Sequence, residues 1–294
     1  MDKGNQTSLR HCRFLDEGHF QSLYETFTAA FSDYVIPFAL TELQFRNHII
    51  LTAVDLKRTI GCFDSEELIG FSLNGFGDWD GVETVYDAGT GVVPGCRRQG
   101  VSQQMFDMML PLFEEQGIRQ FLLEVITTNT GAIHLYEKIG FKKVRQLALL
   151  QCDGPITAGA RPGLELEIRR IDDPDWDLLT SFWDGKPSWQ NSIDAVNRSI
   201  KLKRLLGAFD GEKCLGYIAF SAKFGRVAQF AVDKKYRHRG IGTALVRAVQ
   251  NEMAEGYSMQ VVNIDKSLSD AMSFFINRGF YERLSQFEML KPMG

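Results

Sequence analysis

The chain has 294 residues, 44% of them hydrophobic, which is too long for one small core and sufficient for two domains of ordinary size. Its 33 basic and 37 acidic side chains leave a formal net charge of -4, without the basic surplus of a general nucleic-acid binder, so no nucleic-acid partner is expected. No run of about 18 apolar residues occurs, and the polar start MDKGNQTSLRHCRF lacks the apolar stretch of a secretory signal, so no membrane partner and a cytoplasmic location are expected.

In chain order, a strand is expected at 11–15. A helix follows with Phe20, Leu23, Tyr24, Phe27 and Phe31 at helical spacing. A second helix covers 41–51 with Thr41 as N-cap. Residues 58–63 and 68–76 read as a hairpin around the polar turn Asp64-Ser65-Glu66-Glu67. A strand at 83–93 leads to a helix at 100–115, with Val101, Met105, Met108 and Leu112 on its buried face and Pro111 set to kink or shorten it. A buried strand at 121–127, a helix at 130–139 closed by Gly140 and a strand at 142–151 complete the first half. Residues 152–163, CDGPITAGARPG, hold three glycines and two prolines and read as a joint, followed by a strand at 164–168. The second half repeats the order, with a long helix at 240–255 buried through Ile241, Ala244, Leu245, Ala248 and Val249. Cys12, Cys62, Cys96, Cys152 and Cys214 form no CxxC pair and no metal spacing with the histidines, so they read as isolated reduced thiols and no metal is expected.

The two halves are also related residue by residue. FDSEELIGF (63–71) matches FDGEKCLGY (209–217) at an offset of 146, VVPGCRRQGVS (92–102) matches VDKKYRHRGIG (232–242) at 140, and IHLYEKIGF (133–141) matches MSFFINRGF (272–280) at 139. Three matches in one order, at nearly constant offsets, mark a duplicated domain. The expected division is 1–157 and 158–294. Each copy is an α+β domain with a mainly antiparallel mixed sheet flanked by helices.

Each copy carries a strand that enters a basic, glycine-containing turn opening a helix: Arg97-Arg98-Gln99-Gly100-Val101-Ser102, and Arg237-His238-Arg239-Gly240-Ile241-Gly242. Successive main-chain N–H groups at a helix start form an anion site, which glycine leaves open and arginine reinforces. These loops resemble the [QR]-x-x-G-x-[GA] pyrophosphate loop of the GNAT acetyltransferases, fully in the second copy and with Ser102 for Gly or Ala in the first. The resemblance implies acetyl-CoA as cosubstrate, with Val92 and Val93 of the V-V-P strand end against its pantetheine arm. It also implies pyrophosphate contacts from Arg97, Arg98, Gln99, Gly100, Val101, Ser102 and Gln103, and in the second copy cofactor contacts from Val232, Arg237, Arg239, Gly240, Ile241 and Gly242.

Amide formation from a thioester requires a base to take the ammonium proton and an acid for the departing thiolate. FLLEVITTNTGAIHLYEKIGF (121–141) is similar to the LEV…N…LYE stretch of ribosomal-protein N-acetyltransferases within that family, which implies Glu124 as base, Tyr136 as acid and Asn129 as a cofactor contact. Asp87 is a weaker candidate base, and His134 reads as an exposed helical residue. In the second copy Asn263 and Phe275 stand at the Glu124 and Tyr136 positions, and Tyr281 is badly placed to substitute. The expected function is direct acetyl transfer to a primary amine of a small molecule or peptide by the first copy. Two other readings stay open here: a coenzyme-A sensor or scaffold without catalysis, and activity located in the second copy. The acceptor is not legible.

Overall fold

The computed structural model describes residues 10–33, 40–156 and 165–294. The expected boundary near residue 158, residues 157–163 of the joint and residues 34–39 lie outside the described residues. Two compact units form. The first consists of Met1–Glu124, Asn129–Lys142 and Met289–Gly294, the second of Val125–Thr128 and Lys143–Glu288.

The first unit contains β1 (Arg10–Phe14), α1 (Phe20–Ala30), α2 (Glu42–Leu51), β2 (Ile60–Asp64), β3 (Glu67–Asp78), β4 (Glu83–Val92), α3 (Val101–Glu115), most of β5 (Gln120–Ile126) and α4 (Thr130–Ile139). The strands lie in the order β1-β2-β3-β4-β5, antiparallel except for the parallel pair β4/β5. Local chemistry sets the element ends. Thr41 accepts from the Gln44 N–H while the Gln44 side chain accepts from the Thr41 N–H, a reciprocal cap that starts α2. Gly140, at φ 105°, ends α4 in the left-handed conformation.

Helices α1 and α2 cover one face of the sheet, where Leu23, Phe27 and Phe45 pack with Phe71 and Leu73 of β3. The opposite face carries α3 and α4, with the Phe106 ring 5.8 Å from Phe121, 5.9 Å from Tyr136 and 6.1 Å from Phe141. Each such ring contributes about 1.5–3 kcal/mol through burial. The buried stripe of α3 is Val101, Met105, Phe106, Met109 and Phe113. Met108 and Leu112, expected on that face, are only half-buried. Pro111 does not end the helix: it sits on the exposed side, four residues before the last helical position. Cys12 and Cys62 occupy facing positions of β1 and β2 and form a disulfide, so the expectation of isolated thiols fails for this pair. Cys96, Cys152 and Cys214 are free.

The second unit repeats the plan with β7 (Glu167–Arg170), α5 (Trp176–Ser181), α6 (Ile193–Arg198), β8 (Arg204–Asp210), β9 (Lys213–Ser221), β10 (Arg226–Val232), α7 (Ile241–Glu252), β11 (Met259–Asp265), α8 (Ser269–Ile276) and most of β12 (Tyr281–Pro292). β6 (Lys142–Cys152), which follows α4 in the chain, pairs antiparallel with β11 inside this unit. α7 buries Ile241, Gly242, Thr243, Leu245, Val246 and Val249, whereas Ala244 and Ala248 of the expected stripe are half-buried.

Two irregularities recur in both units and position the sites. Ala88 is an extra residue in β4: the register with β3 moves from Leu73↔Gly89 to Asn74↔Asp87. Ala228 is the extra residue in β10, between Ala219↔Gln229 and Phe220↔Val227. Ladder pairing of β4 with β5 stops at Asp87↔Leu123, and that of β10 with β11 at Val227↔Val261. The parallel strands part at the bulge, leaving the last residues of β4 and β10 without a ladder partner on that side among the described residues.

Candidate active site

The glycine turns take the same backbone form in both units. Arg98 and His238 have φ 58° and 61°, and Gly100 and Gly240 both have φ 82° as N-caps of α3 and α7. A side chain on Gly100 would meet nothing within 4 Å, so the glycine is required by its dihedral angle, and its surface is open. The first arginine of each loop is turned away from that opening. Arg97 donates from Nε to the Val92 carbonyl at 3.0 Å, from Nη2 to the Ala30 carbonyl at 2.8 Å, and pairs with Asp33. Arg237 repeats this with the carbonyls of Val232 (3.1 Å) and Phe182 (3.0 Å) and with Asp184. Both guanidinium groups therefore brace the loop against the helix and strand beside it. The main-chain N–H groups at a helix start of this form are suited to receive an anion.

The other expected cofactor contacts sit around the same turn. Arg98, Gln99 and Gly100 are exposed, Val92 and Val101 are buried, and Val93 donates its N–H to the Ile69 carbonyl. Gln103 reaches along α3 to Asp107, and Asn129 caps α4 by accepting from the Ala132 N–H. In the second unit Val232 and Ile241 are buried, while the Arg239 guanidinium lies over the Tyr236 ring. Ser102 and Gly242 have different neighbours. A Cβ on Gly242 would approach Phe230 and Phe274 to 2.9 Å, so the rings exclude it. At the equivalent positions the first copy has Thr90 and Leu135, and Ser102 fits among them at the rim of a cavity.

That cavity, of about 210 Å³, lies where β4 leaves β5 and is lined by Thr90, Gly91, Val92, Arg97, Ser102, Gly131, Ala132, Leu135 and Tyr136. Tyr136 is buried, and its hydroxyl donates to the Asp87 carboxylate at 3.3 Å. Glu124 lies on β5 one residue beyond the last ladder pair, on the other face of the sheet, and accepts from the Tyr86 hydroxyl at 3.2 Å. The candidate acid and base thus flank the gap from opposite faces. His134 is exposed on α4.

Three polar residues near Tyr136 carried no signal in the sequence. Thr90 lies 2.9 Å from Asp87 and 3.0 Å from Ser72, and Ser72 donates to Asn74 at 3.2 Å. Asp87 also accepts from the Gly89 N–H at 2.9 Å. Burial pushes the Asp87 carboxyl up to about 6, against the opposing pull of the hydrogen bonds from Thr90, Gly89 and Tyr136. The only available clue was the spacing Asp87-x-x-Thr90, and the bulge at Ala88 is what brings the two onto one face.

The second unit holds a larger cavity, of about 390 Å³, lined in part by Trp183, Gln229, Arg237, Gly240, Asn263 and Phe275. Phe275 is buried, and Asn263 bonds to Ser188 and Gln286. Tyr281 is exposed and donates to Asp153.

Comparison with known proteins gives a consistent picture. The profile of the acetyltransferase (GNAT) family matches residues 20–141, and that of the acetyltransferase (GNAT) domain matches residues 185–289. A Xenopus laevis protein, N-alpha-acetyltransferase 30, is 36% identical over 81 residues, 25% of this chain; the match spans 30% of that relative's length. A GCN5-related N-acetyltransferase from Sphaerobacter thermophilus has the same fold, with a TM-score of 0.71 at 17% identity over 96% of this chain and 95% of that one. A tandem GNAT protein from the clavulanic acid biosynthesis pathway matches with a TM-score of 0.71 at 14% identity, over 97% of this chain and 99% of the other. With both profiles seated on the two glycine turns and their helices, the chain belongs to the GNAT acetyltransferase family, as two copies of its domain in tandem.

Proposed function

We propose that the chain is an acetyl-CoA-dependent N-acetyltransferase whose chemistry resides in the first copy. The observation that carries this is the placement of Tyr136 and Glu124 on either side of the gap between β4 and β5, directly beyond the Gly100 turn. The pyrophosphate is held by the N–H groups at the start of α3, from Arg98 to Gln103, and the pantetheine arm by the main chain near Val92 and Val93. Glu124 takes the proton of a primary ammonium, directly or through water. The neutral nitrogen then attacks the thioester carbonyl, and Tyr136 supplies the proton for the coenzyme-A sulfur. The acceptor is a small-molecule or peptide amine. Labelled acetyl-CoA with a panel of amines tests the reading: Tyr136→Phe lowers turnover at least tenfold with cofactor affinity retained, and unchanged turnover removes Tyr136 from the mechanism.

A second reading rests on the wider cavity of the second unit, which meets a complete loop but has Phe275 and Asn263 where the acid and base would stand. That copy is then a coenzyme-A-binding domain without this chemistry. Gly100→Trp and Gly240→Trp separate the copies. The first abolishes transfer, and the second removes only binding to the C-terminal copy.

A further inference from the structure

We propose that Asp87 is the positioning residue behind the acid of the first copy: backed by Thr90, Ser72 and Asn74, it orients the Tyr136 hydroxyl and replaces the proton that Tyr136 gives up. This rests on the reading of Tyr136 as the acid.

The duplication supplies an internal control. The register around the two bulges equates Ser72 with Ile218, Asn74 with Phe220, Asp87 with Val227 and Thr90 with Phe230; the shared helix motif equates Tyr136 with Phe275. All five polar positions of the first copy are apolar in the second, and those five residues belong to, or pack against, one hydrophobic cluster. The fold therefore forms at these five positions without a polar side chain at any of them. Four connected polar side chains behind a buried tyrosine are costly to desolvate and are not needed for architecture.

The chemistry favours a carboxyl at this place. An ordinary tyrosine, with a pKa of about 10, is a weaker acid than a thiol of about 8.5, so a lone phenol protonates a thiolate uphill. The Asp87 carboxyl, held up to about 6 by burial, is a stronger acid than the thiol. In the proposed step the C–S bond breaks and its electron pair stays on sulfur. In the protonated form of Asp87 the hydrogen bond to Tyr136 is reversed, the carboxyl donating to the phenol oxygen. Sulfur then takes the Tyr136 proton, the Tyr136 oxygen takes the Asp87 proton, and Asp87 is left as a carboxylate that accepts from Tyr136, Thr90 and the Gly89 N–H. Water recharges Asp87 when the product leaves. The elements packed around Asp87 contribute Ser72 and Asn74 from β3, Leu123 from β5, Tyr136 from α4 and the apolar stripe of α3. No charged side chain is among the causes of its shift.

The step requires Asp87 protonated, so kcat falls as pH rises through its pKa. The test uses the full chain, acetyl-CoA and hydroxylamine, a nucleophile already unprotonated at neutral pH, together with carboxyl-carbon NMR titration. Asp87→Asn is expected to lower kcat at least tenfold and to abolish the basic limb of the profile. Thr90→Val removes a bond to the carboxylate, and is expected to move both the basic limb and the Asp87 titration midpoint upward with the fold intact. If Tyr136→Phe loses turnover while Asp87→Asn keeps both wild-type kcat and pH profile, the role of Asp87 is overturned and that of Tyr136 stands. If Tyr136→Phe keeps turnover, the underlying reading falls. Should Asp87→Asn fail to fold, an unmoved midpoint in Thr90→Val overturns the proposal by itself.

Discussion

Asp87 has a thermodynamic effect separate from any role in turnover. Its folded pKa of about 6 lies above the ordinary 3.8 of an aspartate, so the carboxyl is easier to bury neutral than charged. The stability it contributes is full below about pH 4 and is lost as pH rises through about 6. Two pKa units correspond to about 3 kcal/mol at most. Asp87→Asn is therefore expected to raise the thermal unfolding midpoint by several degrees at pH 7.5 and to change it little at pH 4. Calorimetry at both pH values checks the sign. A midpoint lowered equally at both would mean that the side chain is held for structure. At this scale the sequence was informative wherever a residue's task is local. Gly100 and Gly240 stand out because φ 82° at a helix start favours glycine. Ser72, Asn74 and Thr90 do not stand out, because their alignment with Asp87 depends on a bulge that no pattern of residue types announces.

At the scale of elements, the two loop-to-helix junctions differ in what they tolerate. Gly242→Ser drives a Cβ against Phe230 and Phe274, and overpacking of this kind costs about 1–3 kcal/mol. Ser102→Gly removes a side chain at a cavity rim and is expected to leave the unfolding midpoint nearly unchanged. Denaturant titration of the two variants measures the contrast; equal effects would remove the rings as the reason for the glycine. Element order was readable from period and caps, as with Thr41 and the α2 start. Phase within a helix was less so. Met108 and Met109 are equally apolar, and only the sheet below α3 decides that Met109 and Phe113 turn inward rather than Met108 and Leu112. The facing of Cys12 and Cys62 is likewise a matter of strand register between segments separated by 50 residues.

For the whole molecule, duplication has produced one copy with a polar heart behind α4 and one with an apolar heart behind α8. The difference makes the second copy hard to convert by single changes. Phe275→Tyr places a hydroxyl among Val227, Phe230 and Phe280 with no carboxylate at the Asp87 position, and an unpaired buried hydroxyl costs about 1–3 kcal/mol. The variant is expected to be less stable and to add no transfer activity when the first copy is disabled by Tyr136→Phe. Appearance of turnover in that double variant would show that a phenol alone suffices.

The parting of β4 from β5 has a consequence for what the first copy accepts. Among the described residues no ladder joins β4 to β5 beyond Asp87, so on the proposed reading a guest that threads between them is held as a short length of backbone. The pantetheine arm, with two amide links in series, meets that requirement whatever acyl group it carries. An acetyl thioester of a simple alkyl thiol has the same reactive carbon and none of the lacing. It should be a poor donor for want of a thread rather than for want of chemistry.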